Sequence, residues 1–299
     1  MKYDLIIIRY GEIALKGKEI RKRFVDTLIS NIKNAFKTKN LDSKIIKEWG
    51  RIYIFTNEFN KSIDILKKIF GIISISPAYK TKSDLNLISN LVLDICKDKL
   101  KENITFAIRT NRSGQHDFSS QDVSIKIGDD VVNNTNAKVN LSKPDFTIFI
   151  EIRDDNAYIF TEKIYCTGGL PLGTQGNILS LIDSTISILA SWYLMKRGCS
   201  LTFVVTQKTN EVILKEFLIN WYVKSDIITI KKDNELFDII NKNNFNAMVA
   251  GYTLADNPPL IIKKIKKLKK SINLPIFNPL IAMNENEIKN NCKKIGLKL

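Results

Sequence analysis

The chain has 299 residues, 44% of them hydrophobic and 26% charged, enough apolar material for two or three compact cores and too much for a wholly disordered chain. Forty-six Lys and Arg against 31 Asp and Glu leave a formal charge of +15; this favours a polyanionic partner held in a salt-sensitive way, a Lys-rich solvated surface being the plainer reading. Cys96, Cys166, Cys199 and Cys292 are scattered, form no CxxC pair and are accompanied by a single histidine, His116, so neither a metal site nor a disulfide framework is expected.

The opening MKYDLIIIRYGE reads as a short strand (residues 4–9) broken at Tyr10 and Gly11, too brief for a signal peptide. With no apolar run of membrane-spanning length, a cytoplasmic protein is expected. Ile20, Phe24, Leu28, Ile32, Ala35 and Phe36 have helical spacing over 20–37, followed by a strand at 51–56 and a helix at 61–70 that stops at Gly71. A second unit takes over near residue 72, with a strand at 72–79, a helix at 84–100, a strand at 105–109, a polar turn at 110–118 and a helix at 120–132. Strands 146–152 and 156–163 close it around the turn Arg153, Asp154, Asp155. TGGLPLGTQGN (167–177) is a glycine-shaped linker. Beyond it, strands at 177–182, 201–205, 226–230 and 246–250 alternate with helices at 184–197 and 211–222 and end in two further helices. That is the pattern of an open parallel sheet covered on both faces.

Three basic constellations stand out. Lys16, Lys18, Arg21, Lys22 and Arg23 crowd the start of the first helix, where cations oppose the helix dipole; a phosphate partner explains them better than helix stability does. IRTNRSG (108–114) sets Arg109, Arg112 and Ser113 where a strand ends, with planar multi-donor side chains suited to phosphate oxygens. The alternative is that one arginine pairs with a carboxylate such as Glu151. IIKKIKKLKKSI (261–272) places Ile261, Ile265, Leu268 and Ile272 at helical spacing with six lysines on the remaining arc, a face for RNA or for a membrane surface.

IIIRYGEIALKGK (6–18), FAIRTNRSGQHDFSSQDVSIKIG (106–128), VNLSKPDFTIFIEIRDDNAYIFTEK (139–163), GGLPLGTQGNIL (168–179) and WYLMKRG (192–198) resemble the tRNA 4-thiouridine (thiamine-biosynthesis) sulfurtransferase family. The resemblance implies an α/β multidomain chain. Its parts would be a ferredoxin-like domain (1–72), a THUMP RNA-binding domain (73–166), a linker (167–176) and a PP-loop-like domain with an open parallel sheet (177–299). It also implies that the first two domains grip the acceptor end of tRNA, with Lys16, Lys18, Arg21, Arg23, Arg109, Arg112 and Ser113 near phosphates. The third domain would use ATP to activate uridine before cysteine chemistry delivers sulfur.

The third domain departs from that family. Where the family carries SGGxDSP, this chain has NILSLIDSTIS (177–187), one residue short and without the loop glycines. Leu181, Ile182, Asp183 and Ser184 read as a degenerate nucleotide site: Leu181 or Ile182 continuing the strand, Ser184 starting the helix, and Asp183 acting as a turn or cap residue. GYTLADNPP (251–259) replaces a flexible polar segment with one whose prolines, Pro258 and Pro259, remove backbone donors. The stretch from Val205 to Ala247 is shorter than the family architecture, and neither Cys199 nor Cys292 has an evident activating base. The expectation is therefore a non-catalytic tRNA-binding pseudoenzyme without catalytic residues or cofactor, presenting tRNA to a separate modifying enzyme or stabilising a complex. Two alternatives remain: a minimal active sulfurtransferase using ATP and Mg, and a protein–protein scaffold.

Overall fold

The computed structural model describes residues 1–255 and 257–299. In chain order the first half contains β1 (Leu5–Arg9), a 3-10 turn (Glu12–Leu15), α1 (Lys18–Thr38), β2 (Lys44–Glu48), β3 (Arg51–Phe55), α2 (Phe59–Leu66), β4 (Ser74–Lys82) and α3 (Leu85–Cys96). There follow β5 (Thr105–Ser113), α4 (Ser120–Thr135), β6 (Lys138–Val139), β7 (Phe146–Arg153), β8 (Asn156–Phe160) and β9 (Ile164–Tyr165). The second half contains β10 (Asn177–Ile182), α5 (Ile186–Lys196), β11 (Ser200–Val205), α6 (Lys208–Asn220), β12 (Ile227–Thr229), α7 (Asp233–Lys242), β13 (Ala247–Ala250), α8 (Pro258–Ser271), β14 (Ile276–Phe277) and α9 (Glu285–Lys294). The chain divides into two compact units, Met1–Arg9 with Leu41–Lys67 and Ser74–Tyr165, and Tyr10–Asn40 with Lys68–Ile73 and Cys166–Leu299.

In the first unit one continuous sheet runs in the order β2-β3-β1-β4-β8-β7-β5-β6, with β9 on β4. The ferredoxin-like strands and the THUMP strands therefore share a ladder through the β4–β8 pairing, Tyr79 opposite Ile159. Period-2 alternation decides the faces. Ile148, Ile150 and Ile152 of β7 join Ile88 and Val92 of α3 and Val123, Ile127 and Val131 of α4 in one core. On the other face, Leu5, Ile7 and Tyr53 meet Tyr158 and Phe160. The rings of Tyr53 and Tyr158 stack at 4.8 Å. In a flat sheet β3 and β8 would lie about 14 Å apart, at ~4.8 Å per strand, so the contact requires the sheet to coil onto itself.

The second unit holds a fully parallel sheet in the order β12-β11-β10-β13-β14. Such a ladder needs crossover helices, and they fill both faces. Ile188 and Leu189 of α5, Leu214 and Phe217 of α6 and Ile288 and Cys292 of α9 pack on one side with Ile182 and Val205. Leu236 of α7, Ile261, Ile265 and Leu268 of α8, and Leu181 and Met248 pack on the other. Strand order reverses between β11 and β13 on either side of β10, and in open parallel sheets the carboxyl end of the strand at such a switch point is where ligands bind.

Several boundaries differ from the sequence reading. β5 does not stop at residue 109 but pairs with β7 as far as Ser113 opposite Arg153, because the parallel partner supplies hydrogen bonds that a polar stretch alone does not advertise. The helix expected from residue 184 begins at Ile186. Strand β2 and helix α7 were not foreseen. The apolar stripe of α7, Leu236, Phe237, Ile239 and Ile240, packs against the sheet inside the shortened stretch, so that stretch keeps a covering helix.

Candidate nucleotide and nucleic-acid sites

At the carboxyl end of β10, Leu181 and Ile182 are committed to the strand, their side chains sunk into the cores on opposite faces of the sheet. Neither occupies the loop, which consists of Asp183, Ser184 and Thr185 before α5 starts. Among the described residues, the backbone N–H groups of Asp183, Ser184, Thr185 and Ile186 reach no acceptor in the chain. They stand at the positive end of an 11-residue helix, where an anion is stabilised both by the free donors and by the aligned peptide dipoles. Asp183 is tied to the first turn: Ser187 Oγ donates to its Oδ1 at 2.8 Å, and the Ser184 and Ser187 hydroxyls lie 3.1 Å apart. Thr185 Oγ1 is 3.5 Å from Asn210 Oδ1, and the buried Asn210 Nδ2 beside it has no partner, an additional donor next to the loop.

The loop after β13 approaches the same helix. A Cβ at Gly251 would come within 2.5 Å of Ser187 Cα and 2.7 Å of Ser187 N, so only glycine lets the β13 loop pass the first turn of α5. Pro258 and Pro259 do not belong to the loop whose donors the sequence reading had them remove. They are the first two residues of α8, where the N–H groups would be unpaired in any case, and Asn257 Oδ1 caps the helix by accepting from Leu260 N at 3.2 Å.

Cys96, Cys199 and Cys292 are poor nucleophiles as placed. Burial pushes the Cys96 thiol up to about 12 and the Cys292 thiol up to about 11, and also raises Cys199. Cys166 is the least buried of the four. Among the described residues no group of three or more His, Cys, Asp or Glu side chains is arranged to hold a metal ion.

In the first unit, Arg109, Arg112 and Ser113 project from the exposed part of β5. Arg109 borders a shallow cleft of about 600 Å³ lined by Asn111, Ser120, Gln121, Phe149 and Lys163, a mixture of cations, amides and one aromatic face. Arg109 donates to Leu141 O, and Arg112 Nη1 donates to Gly114 O at 3.1 Å. Arg112 Nη1 also lies 3.2 Å from His116 Nδ1, while His116 Nε2 lies 2.7 Å from Asp154 O. This pattern fits the neutral tautomer with its proton on Nε2, an assignment inferred from the partners.

Glu151 takes neither arginine of the β5 motif. It accepts instead from Arg9 at 3.2 Å and Arg153 at 2.8 Å, with Arg51 Nε 2.7 Å away. Burial by itself would raise its carboxyl, but Arg51, Arg153 and Arg9 together hold it below the usual carboxylate range. Lys163 sits 4.1 Å over the Phe149 ring, its ammonium lowered by burial and by Arg9. The sequence reading missed this cluster, although Arg9 and Arg51 could have been noticed as charges in register with apolar strand positions (LIIIR, RIYIF).

Lys16, Lys18, Arg21 and Arg23 belong to the second unit, and Arg109, Arg112 and Ser113 to the first. Lys16, Lys18 and Arg23 are exposed, whereas Arg21 donates twice to Lys16 O, at 2.9 and 3.3 Å, and fixes the turn that leads into α1. Arg23 lies over the Phe24 ring at 5.5 Å and lines a shallow groove with Glu19, Lys22 and Asp26. No helix among the described residues is long and apolar enough to cross a membrane.

Comparison with known proteins places three family models on the chain: the ThiI ferredoxin-like domain over residues 5–76, the THUMP domain over 82–162 and the thiamine biosynthesis protein (ThiI) model over 222–298. A probable tRNA sulfurtransferase of Methanothermobacter thermautotrophicus is 31% identical over 99% of this chain and 85% of its own length. That of Methanocaldococcus jannaschii is 32% identical over 97% and 87%. The first of these alignments spans 337 positions, more than the 299 residues here, so the relative carries residues this chain lacks. Among solved structures, PH1313 of Pyrococcus horikoshii superposes with a TM-score of 0.85 at 30% identity, covering 98% of this chain and all of its own. A 4-thiouridine synthetase in complex with RNA and bound ATP superposes at 0.82 and 24% identity, covering 99% and 85%, and shows the same fold.

These findings overturn the expectation of a non-catalytic pseudoenzyme without a cofactor. The relatives matched over nearly the full chain are described as probable tRNA sulfurtransferases, and a 4-thiouridine synthetase of this fold holds ATP. The physical reason lies in the loop. The absent glycines imply amides that cannot converge; Leu181 and Ile182 do continue the strand as expected, but the amides of residues 183–186 beyond them stay open.

Proposed function

Because the chain belongs to the ThiI family of tRNA sulfurtransferases, we propose that it is an ATP-dependent tRNA sulfurtransferase forming 4-thiouridine. The observation that carries this reading is the row of four open amides at the N-terminus of α5, beside the point where strand order reverses. The donor set suits phosphate oxygens: the amides of Asp183, Ser184, Thr185 and Ile186, the Ser184 and Thr185 hydroxyls, and the unpartnered Asn210 Nδ2. Bound there, ATP would supply the activation that makes the uridine 4-oxygen replaceable. The chain's own part is to fix the phosphates through rigid backbone donors that need no reorganisation. Gly251 keeps the β13 loop close enough to hold α5 in position.

The tRNA is gripped at its acceptor end in this reading, with Lys16, Lys18, Arg21, Arg23, Arg109, Arg112 and Ser113 against backbone phosphates and the cleft beside Arg109 receiving a nucleotide. The corresponding division of labour is 1–72 and 73–166 for RNA, 167–176 as linker and 177–299 for activation, in the cytoplasm. Asp183 orders the loop through Ser187 rather than acting on the reacting atoms. Sulfur must come from a donor that does not rely on the three buried cysteines.

The test is to incubate the purified chain with a tRNA transcript, ATP and a sulfide donor. ATP consumption that rises with tRNA, together with thiolated tRNA retarded on a mercury-containing gel, is expected. Neither signal, from protein that still binds tRNA, would overturn the reading.

A further inference from the structure

Residues 257–284 hold six lysines and no Asp or Glu, and all six lie on α8. Every one of them, Lys263, Lys264, Lys266, Lys267, Lys269 and Lys270, is exposed. Among the described residues Lys263, Lys266, Lys269 and Lys270 form no ion pair, and Lys264 only overlies the Tyr252 ring at 5.9 Å. Like charges three and four residues apart repel along a helix, so this arrangement weakens α8 unless an anion lies against it. The apolar stripe that could have inserted into a bilayer is already used: Ile261, Ile265 and Leu268 pack into the core under the sheet. What remains outward is a groove lined by Pro259, Ile262, Lys263, Lys266, Lys267 and Lys270. From Lys263 to Lys270 the helix rises about 10 Å at ~1.5 Å per residue, the span of roughly three phosphates of one duplex strand at ~3.4 Å each.

Position adds a second argument. α8 descends from the loop after β13, whose carboxyl end neighbours the open amides after β10. α8 thus begins at the same carboxyl edge of the sheet as those amides, so an RNA that reaches them can continue along the helix. We propose that the outward face of α8 is an additional track for the RNA backbone, one that holds the substrate strand beside the activation site. This rests on the tRNA sulfurtransferase reading above.

The experiment measures tRNA affinity of the full chain from low to moderate salt for the wild type and for a triple Lys263→Glu, Lys266→Glu, Lys270→Glu. A charge-matched control, Lys293→Glu, Lys294→Glu, Lys298→Glu, places the same change on and after α9, which packs on the other face of the sheet. The α8 triple is expected to weaken binding by at least roughly tenfold and to lower the salt slope by about two to three units, against a small change in the control. A triple to Gln, which removes the charges without reversing them, should move both quantities in the same direction and guards against misfolding of the Glu variant. Equal effects of the α8 and α9 triples would overturn the proposal. So would unchanged tRNA binding accompanied by lost sedimentation with phosphatidylserine vesicles, which would mark α8 as a membrane face. If Arg109→Ala and Arg112→Ala weaken tRNA binding while the α8 variants do not, the track is wrong and the sulfurtransferase reading stands; wild-type protein that binds no tRNA removes both.

Discussion

Arg109 and Arg112 occupy the part of β5 where the strand has left the core but still has a partner. Phe106, Ala107 and Ile108 are buried, while Arg109 and the residues beyond are largely exposed yet remain laddered to β7 through Ser113. A strand holds a side chain more rigidly than a loop, which suits these arginines to positioning a phosphate. Arg109→Ala and Arg112→Ala are each expected to weaken tRNA binding and to lower the salt slope by about 0.7 to 0.9 units, read from affinities at three or more salt concentrations. Unchanged slopes in both variants would exclude these contacts. The cysteines allow a chemical check of the same kind. Because burial raises Cys96, Cys199 and Cys292, alkylation of the native protein near pH 8 should modify Cys166 first, the others reacting only on unfolding. Rapid labelling of Cys199 or Cys292 in folded protein would contradict the burial argument.

The way strands and helices meet explains what was legible in the sequence and what was not. The helical spacing of Phe24, Leu28, Ile32 and Phe36 was plain, and these residues are buried on α1. The strand at 146–152 was legible as well, and its Ile148, Ile150 and Ile152 lie in one core. Glu151, by contrast, reads from the sequence as a partner for Arg109 or Arg112. Coiling of the sheet brings in Arg9 and Arg51 from β1 and β3 instead, a tertiary effect that no local pattern encodes. The nucleotide loop is hard to read for a related reason: the identity of a residue says little about donors that belong to the backbone.

The Glu151 cluster also gives the coiled sheet a pH signature. Its carboxyl titrates below the ordinary value of 4.5 in the folded protein, so the stabilisation is fully present above that value and is lost as the pH falls through the lower folded value. Glu151→Ala leaves three arginines facing one another beneath the surface and should cost about 3 to 5 kcal/mol. Glu151→Gln should flatten the loss of stability on acidification, measured by urea unfolding between pH 6 and pH 3. An unchanged acid limb in the Gln variant would place the proton-sensitive group elsewhere.

The chain as a unit offers a test of the activation site that does not depend on turnover. A ligand that binds only the folded state stabilises it by RT ln(1 + [L]/Kd), about 2.7 kcal/mol at a hundred times Kd. If the open amides after β10 hold phosphates, ATP should raise the melting temperature of the full chain and adenosine, which lacks the phosphates, should not. Gly251→Ala supplies the structural control. Its Cβ would meet the backbone of Ser187 at 2.5 Å, so α5 or the β13 loop must shift, at a cost of about 1 to 3 kcal/mol. The variant should melt lower and also lose the ATP-dependent rise, because the amides of residues 183–186 move with the helix they precede. A destabilised variant that keeps the full ATP response would show that the phosphates bind elsewhere. An equal response to adenosine in the wild type would show that the base rather than the phosphates is what the protein holds. Retention of tRNA binding by Gly251→Ala, with loss of tRNA-stimulated ATP consumption, is the combination expected if activation depends on this loop and RNA capture does not.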